Sequence, residues 1–154
     1  MVSLLNIDMN SLDADCAVIF AIQPIFADKI FVFEKKYEFR KVKCRRNAWR
    51  AFIYESRSAR CLVGEFEISN VYEGSLQEIW NLTKNYSGVS LSFYESYYKS
   101  ANKAIAYEIR NPIRYIKPIP LKDIGLLNIP QSFMYISNEH ILKIDNLIEQ
   151  TGRA

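Results

Sequence analysis

A single histidine and five glycines occur in this chain of 154 residues, and each scarcity removes a class of chemistry. His140 has no nucleophile or second ligand near it in sequence, so no catalytic triad is expected and the residue reads as exposed or cap-adjacent at the start of a C-terminal helix. The few glycines form neither a Walker A loop nor a dinucleotide fingerprint, and HExxH and GxSxG are also missing. Cysteine is sparse too. Cys16, Cys44 and Cys61 are odd in number and widely spaced, which predicts buried or incidental thiols rather than a disulfide framework or a metal site. No motif calls for a cofactor. No apolar run approaches the roughly 18 residues that span a bilayer. The segment from Met1 to Ala21 carries Asp8, Asp13 and Asp15 without Lys or Arg, so neither a secretory signal nor a membrane partner is expected, and the expected location is cytoplasmic.

What is present suits a folded protein. Apolar residues make up 49% and charged residues 24% of the chain, close to globular averages. The length fits one domain over residues 1–154, with a core over about 16–136 and a C-terminal helix over about 138–150. Net charge is only +3, but from Asp28 to Arg60 five Lys and six Arg face four acids, an excess of +7 that leaves −4 elsewhere. Such a sector predicts an anionic partner, with Lys41, Lys43, Arg45, Arg46 and Arg50 as phosphate contacts; a merely solvated basic loop is the alternative.

Cys16 to Ile22 (CAVIFAI) is apolar throughout, as in a strand buried on both faces. Pro24 opens a helix with apolar residues at helical spacing, ending near Glu34. Tyr37 to Lys43 reads as a strand, followed by strands at Trp49 to Tyr54 and Cys61 to Ile68. Ser75 and Glu78 stand at capping-box spacing before a helix over Leu76 to Asn85. Ser90 to Tyr98 predicts another helix and Ala104 to Ile109 a strand, beyond which Pro112, Pro118 and Pro120 favour edge or loop conformations. After the PQSFMYI run, Ser137 or Asn138 can cap a last helix whose stripe is Ile141, Leu142, Ile144, Leu147 and Ile148. That helix is expected to dock on the body of the protein or on a protein partner, a second copy included. The whole predicts an α+β fold of about five or six strands with short flanking helices.

The most informative stretch is EKKYEFRK. Glu38 and Arg40 point to one face of a strand, two residues apart, just after Lys35 closes the first helix. A cleft could use Arg40 as a planar fork for phosphate or a base edge, Glu38 to accept hydrogen bonds from a base or to hold Arg40 in place, and Lys35 as a point charge. An exposed Glu–Arg pair on a solvated sheet would have the same spacing.

These residues lie in an ordered series, AIQPIFADKIF, EKKYEFR, FIYESRSARCLVGEFEI, the segment through Ile79, Trp80 and GVS, then AYEI, KPIPL and PQSFMYI, which resembles the ordered motifs of ASCH domains from about Ala21 to Ile136. The resemblance implies a PUA-like β-barrel with a cleft beside the first helix, binding RNA or a nucleotide-like ligand, with a possible regulatory role in transcription or translation. The family pattern G-x-K-x-x-E-x-R matches at Lys35, Glu38 and Arg40, while its glycine falls on Phe33. Tyr54, Ser56 and Arg57 match the stretch that usually reads YxSxP, with Ser58 at the proline. The implied ligand contacts are therefore Lys35, Glu38, Arg40, Tyr54, Ser56 and Arg57, supplemented by Lys43, Arg45 and Arg46 from the basic sector.

Some ASCH proteins resemble enzymes instead. One branch is an amidohydrolase of acylated cytidine using a lysine, a threonine three residues on and a later glutamate. Lys35 keeps the first position, Glu38 replaces the threonine, and no glutamate stands near Tyr86 and Ser87. Another branch is ribonucleolytic, which leaves Lys35 and Glu38 as the catalytic candidates should there be catalysis. Among the aromatics Trp49, Tyr54, Tyr72, Trp80, Phe93, Tyr94, Tyr97, Tyr98 and Tyr107, roughly two are expected to face the ligand and the rest to pack.

Overall fold

A computed structural model describes residues 2–5, 17–44, 48–55, 60–127 and 132–152. Its strands are β1 (Ser3–Leu5), β2 (Ala17–Ala21), β3 (Tyr37–Arg40), β4 (Arg50–Glu55), β5 (Cys61–Gly74), β6 (Ala104–Pro120) and β7 (Phe133–Ile136). The helices are α1 (Pro24–Phe31), α2 (Leu76–Thr83), α3 (Leu91–Tyr97) and α4 (Asn138–Thr151). The strands form one sheet in the order β3-β6-β5-β4-β2-β7, with β1 added on β5. The β2–β4 pair is parallel and the other pairs are antiparallel.

Length and bulging in β5 and β6 set the curl of this sheet. Their pairing shifts register between Leu62 and Gly64, between Glu65 and Glu67, and between Ile68 and Asn70, and each bulge adds local twist. The two strands are thereby longer than the sequence pattern predicts. Asn70, which looks like a turn residue, sits just past a register shift in β5, and the strand continues to Gly74. After Ile109 the chain takes the edge and not the loop of the two forms expected, because β6 runs unbroken to Pro120. Its prolines avoid the ladder's hydrogen-bonding demand. Pro112 lies between the paired residues Arg110 and Ile113, Pro118 lies between Arg114 and Ile119, and Pro120 is the strand's last residue. Beyond Glu108 the strand has lost β3 and keeps β5 as its partner among the described residues.

Strand β2 is buried on both faces, for a simple reason. Val18 and Phe20 point into a core with Ile53, Phe66, Ile105 and Tyr107, beneath Ala27 and Ile30 of α1. Ala17 and Ile19 point the other way, into a core shared with Phe52, Leu62, Tyr115, Ile124, Ile144 and Ile148. The second core exists because α4 covers the outside of the sheet. A third cluster, around Phe39, Ile79, Tyr94 and Tyr98, seats α2 and α3.

Helix ends follow side-chain chemistry. Pro24 occupies the first turn of α1, where its missing N–H costs nothing. Ser75 and Glu78 complete a reciprocal capping box, and the Ser90 and Ser137 hydroxyls accept from Phe93 N and His140 N at the starts of α3 and α4. The α4 stripe is narrower than its apolar residues suggest. Ile144 and Ile148 are buried, Ile141 and Leu147 partly so, and Leu142 remains 62% exposed. Asp145, expected outside the stripe, instead meets Arg50 of β4 at 2.7 Å, and Arg50 also grips Glu65 of β5 at 2.6 Å.

Truncating Ile144 to Ala should lower unfolding free energy by about 2 to 5 kcal/mol through lost burial and a cavity. Leu142→Ala should change it by less than about 0.5 kcal/mol. Urea unfolding of the two variants reads the contrast, and equal effects would mean that α4 is not docked through this face.

Candidate functional site

Between α1, β3 and α3 lies a cleft of about 120 Å³. Its floor is Glu38, Phe39 and Arg40 with the end of β2 at Ala21 and Ile22; Gln23 and Phe26 form one wall, and Val89, Phe93, Tyr94 and Tyr97 the other. Lys35 completes the lining. Strand β3 brings Glu38 and Arg40 to the cleft at its end, as their shared face predicts.

Arg40 is 7% exposed, and its terminal nitrogens are committed within the protein. Nη1 donates to the Ser132 carbonyl and hydroxyl at 3.1 and 3.0 Å, while Nη2 donates to the Ala21 carbonyl at 2.8 Å and to Glu38 Oε1 at 2.9 Å. Its guanidinium also lies 4.8 Å from the Phe20 ring centroid. The fork read from the sequence as a ligand contact thus spans the space between β3 and the β2–β7 pair. Nε is buried and, among the described residues, has no acceptor. Glu38 accepts from Arg40 through Oε1, so Oε2 faces no donor among the described residues.

Lys35 is 2% exposed. Its Nζ donates to the Ser87 carbonyl at 2.7 Å and lies 4.7 Å from the Phe39 ring centroid. Burial is the main cause that brings its pKa down to about 8; Glu38 opposes the shift, and Arg40 and Lys29 add to it. Two turns make this placement possible. Helix α1 ends with Phe33 N donating to Ile30 O and Glu34 N to Lys29 O, the double bond of a Schellman ending. Its left-handed residue is Phe33, at φ 64°. The residue that stands where ASCH sequences carry glycine therefore adopts the conformation glycine favours. On the opposite side Gly88, at φ +70°, lies so close to the Lys35 stem that an added Cβ would sit 2.5 Å from Lys35 Cβ.

The remaining expected contacts are scattered. Tyr54 is fully buried in the core beneath α4, with no partner for its hydroxyl among the described residues, and does not line the cleft. Lys43 is exposed. Arg45, Arg46, Ser56 and Arg57 lie outside the described residues. Arg50 is a correction to the basic sector, since its guanidinium is held between Glu65 and Asp145; burial pulls its pKa down, but the hydrogen bonds and charges of the two acids together push it upward. The cation that meets the cleft wall is instead Lys41, 5.0 Å from the Tyr97 ring centroid, whereas Lys36 lies 4.1 Å from that of Tyr86, which is outside the lining. Phe93, Tyr94 and Tyr97 reach the cleft, whereas Tyr98 and Tyr107 are core residues. Phe26, Phe39 and Ser87 were not singled out from sequence; the helical phase of Phe26 relative to Lys29 was the available signal for the first of them.

The sheet order, the cleft and the added helix define the class: this is an α+β protein of ASCH-like, PUA-like fold. The chain is similar in structure to the ASCH protein of Zymomonas mobilis, with a TM-score of 0.76 and 24% identity over 85% of this chain and 94% of that one. Crystal structures of two variants of that protein align at TM-scores of 0.76 and 0.75. The N-terminal domain of McrB from Staphylothermus marinus aligns at a TM-score of 0.57 with 12% identity, covering 84% of this chain and 93% of that one. No protein-family model matches. Among curated sequences, the large ribosomal subunit protein uL22 of two strains of Ureaplasma parvum serovar 3 is 27% identical over 103 residues, 67% of this chain. The chain spans about a third (33%) of the length of those relatives.

Two outcomes follow for the site. Phe33→Gly should raise stability by about 1 kcal/mol or less, because relief of the left-handed strain exceeds the added chain entropy; a lower melting temperature would contradict this. Lys35 should make stability depend on pH. Below about pH 8 it is protonated in both states and the full cost of burying its charge applies. Between about 8 and 10.5 the unfolded chain holds the proton that the folded one has shed, so stability rises with pH. Urea unfolding at pH 7.5 and 9.5 should show a gain on the order of 2 kcal/mol that Lys35→Met removes.

Proposed function

We propose that the chain is a binding module for single-stranded RNA or a nucleotide-like ligand, one base or sugar entering the cleft over Glu38 and Lys35. The observation that carries this reading is the combination in one small cleft of an aromatic lining, in which Phe26 and Phe93 pack edge to face at a centroid distance of 4.9 Å, with buried Lys35 and Glu38 and with Lys41 over the Tyr97 ring. Aromatic faces take bases without regard to sequence, the free Glu38 oxygen accepts from an N–H edge, and the cations attract phosphate. Similarity to part of a large ribosomal subunit protein, uL22, favours the same partner. The basic stretch of sequence with Lys43, Arg45 and Arg46 supplies non-specific attraction, and a regulatory role in transcription or translation is the setting in which such a module acts in the cytoplasm.

A second reading, hydrolysis of a modified nucleoside or of RNA, is favoured by one observation: Lys35, brought near neutrality by burial, shares the cleft with Glu38. Glu38 would serve as general base and Lys35 as proton donor or electrostatic stabiliser.

Calorimetric titration with short RNAs at several salt concentrations tests the first reading. Log affinity should fall with log salt by about 0.7 for each phosphate contact, and Phe93→Ala should weaken binding by about 1 to 3 kcal/mol. Salt-independent affinity that also survives Phe93→Ala would place the ligand elsewhere. Turnover assays on RNA and acylated cytidine separate the second reading, for which Glu38→Gln should cost roughly a hundredfold in rate at nearly constant affinity.

A further inference from the structure

The buried Lys35 amine has a role that ligand binding alone does not require. A lysine serving only as a phosphate contact would keep its ammonium in water or against a carboxylate. Lys35 does neither. Its Nζ is enclosed, with one hydrogen bond to a neutral carbonyl, Ser87 O at 2.7 Å, and with the Phe39 and Phe26 ring centroids at 4.7 and 5.7 Å. Among the described residues no carboxylate oxygen comes within salt-bridge distance of it. Such a setting, an amine desolvated among apolar groups and flanked by other cations, is how lysines become nucleophiles.

We propose that Lys35 is a nucleophilic amine that captures an aldehyde entering the cleft as an imine, with Glu38 moving the protons. The aldehyde class best suited to the cleft is the ring-opened pentose of a nucleotide that has lost its base, an assignment that rests on the proposed nucleic-acid reading. The cleft, at about 120 Å³, takes a single sugar, and Lys41, over the Tyr97 ring of the cleft wall, is placed for a flanking phosphate. In the first step the Lys35 lone pair forms the N–C bond, the carbonyl π pair moves to oxygen, and that oxygen gains the proton the nitrogen loses, relayed by Glu38. In the second the hydroxyl takes a proton delivered through Glu38 and leaves as water while the nitrogen pair closes the C=N bond, and the resulting iminium N–H returns a proton to the Glu38 carboxylate, so that no net proton is consumed. The sum is amine plus aldehyde giving imine plus water, without an oxidant or reductant.

The groups facing Lys35 agree with this role. Lys29 of α1 and Arg40 of β3 disfavour the ammonium, and Glu38 favours it. Tyr94 and Tyr97 of α3 are pushed upward by burial and stay neutral through the working range. The loop between α2 and α3 brings the Ser87 carbonyl and the close-packed backbone of Gly88.

The test uses the full chain with an RNA oligonucleotide carrying one abasic ribose and, separately, with propanal, each in cyanoborohydride, which reduces an imine to a stable amine. Peptide mass mapping locates the adduct, and calorimetric titration with the unmodified RNA runs in parallel. Lys35 should be labelled by the abasic RNA at least about tenfold faster than exposed Lys41, since a pKa near 8 leaves far more free amine at neutral pH. The rate should climb between pH 7 and 9, and Lys35→Arg should abolish this adduct. Adducts confined to exposed lysines in the wild type, with Lys35 untouched by both probes, would overturn the inference even if unmodified RNA binds. Selective labelling by propanal without binding of either RNA would overturn the pentose assignment and the RNA reading while upholding the nucleophilic amine.

Discussion

The buried guanidinium of Arg40 fastens the open side of the curled sheet. The hydrogen-bonded path of strands begins at β3 and ends at β7, and no ladder joins these two among the described residues. Arg40 spans the gap with side-chain bonds, to Ser132 just before β7 and to Ala21 at the end of β2. Burying the charge is tolerable because Glu38 neutralises it and carbonyl and hydroxyl oxygens take most of the remaining donors; removal of one partner of such a pair typically costs about 3 to 5 kcal/mol. The same clasp gives the cleft its floor. One side chain therefore closes the half-barrel and fixes Glu38, with one carboxylate oxygen tied and the other turned free.

Lys35 depends on that floor and on two strained or crowded backbone positions. A left-handed Phe33 turns the chain out of α1 at the angle that sends Lys35 inward, and Gly88 makes room for the lysine stem. Neither feature favours stability in the way an ideal design would, since a bulky residue at positive φ and a desolvated amine both raise the energy of the folded state. Violations of local rules that gather around one cleft are the pattern expected of a functional site.

The far side of the sheet has a different physical character. There α4 is held by two buried isoleucines and by the bidentate grip of Arg50 on Glu65, extended to Asp145 and joined by the Tyr115 hydroxyl at 3.1 Å from Glu65. Arg50 is thereby a fastening for the helix. Charge counting alone assigns it to a phosphate-binding sector, because a formal charge in a sequence does not reveal whether acids distant in the chain will surround it. The cleft and the helix thus lie on separate cores, and each can be perturbed without the other.

By itself the sequence determined most of the local structure. The apolar run at β2, Pro24, the Ser75–Glu78 box and the serine caps each carry their conformational preference within a few residues, and the alternation in YEFR suffices to put Glu38 and Arg40 on one face. The ordered motifs were enough to anticipate an ASCH-like fold. Only tertiary structure decided what these residues face. The length of β5 and β6 depends on bulges that seat Asn70 and the prolines opposite a partner strand, which no local pattern encodes. The exposure of Tyr54, read as a ligand contact but sealed beneath α4, was settled by packing between segments some ninety residues apart in the chain (Tyr54 and Ile144). The engagement of Arg40 and Arg50 likewise required Ser132 and Asp145 to arrive from the far end of the chain. Charge and periodicity are properties of short windows, whereas burial and hydrogen-bond partnership are properties of contacts, and it is the contacts that separate a clasp from a ligand site.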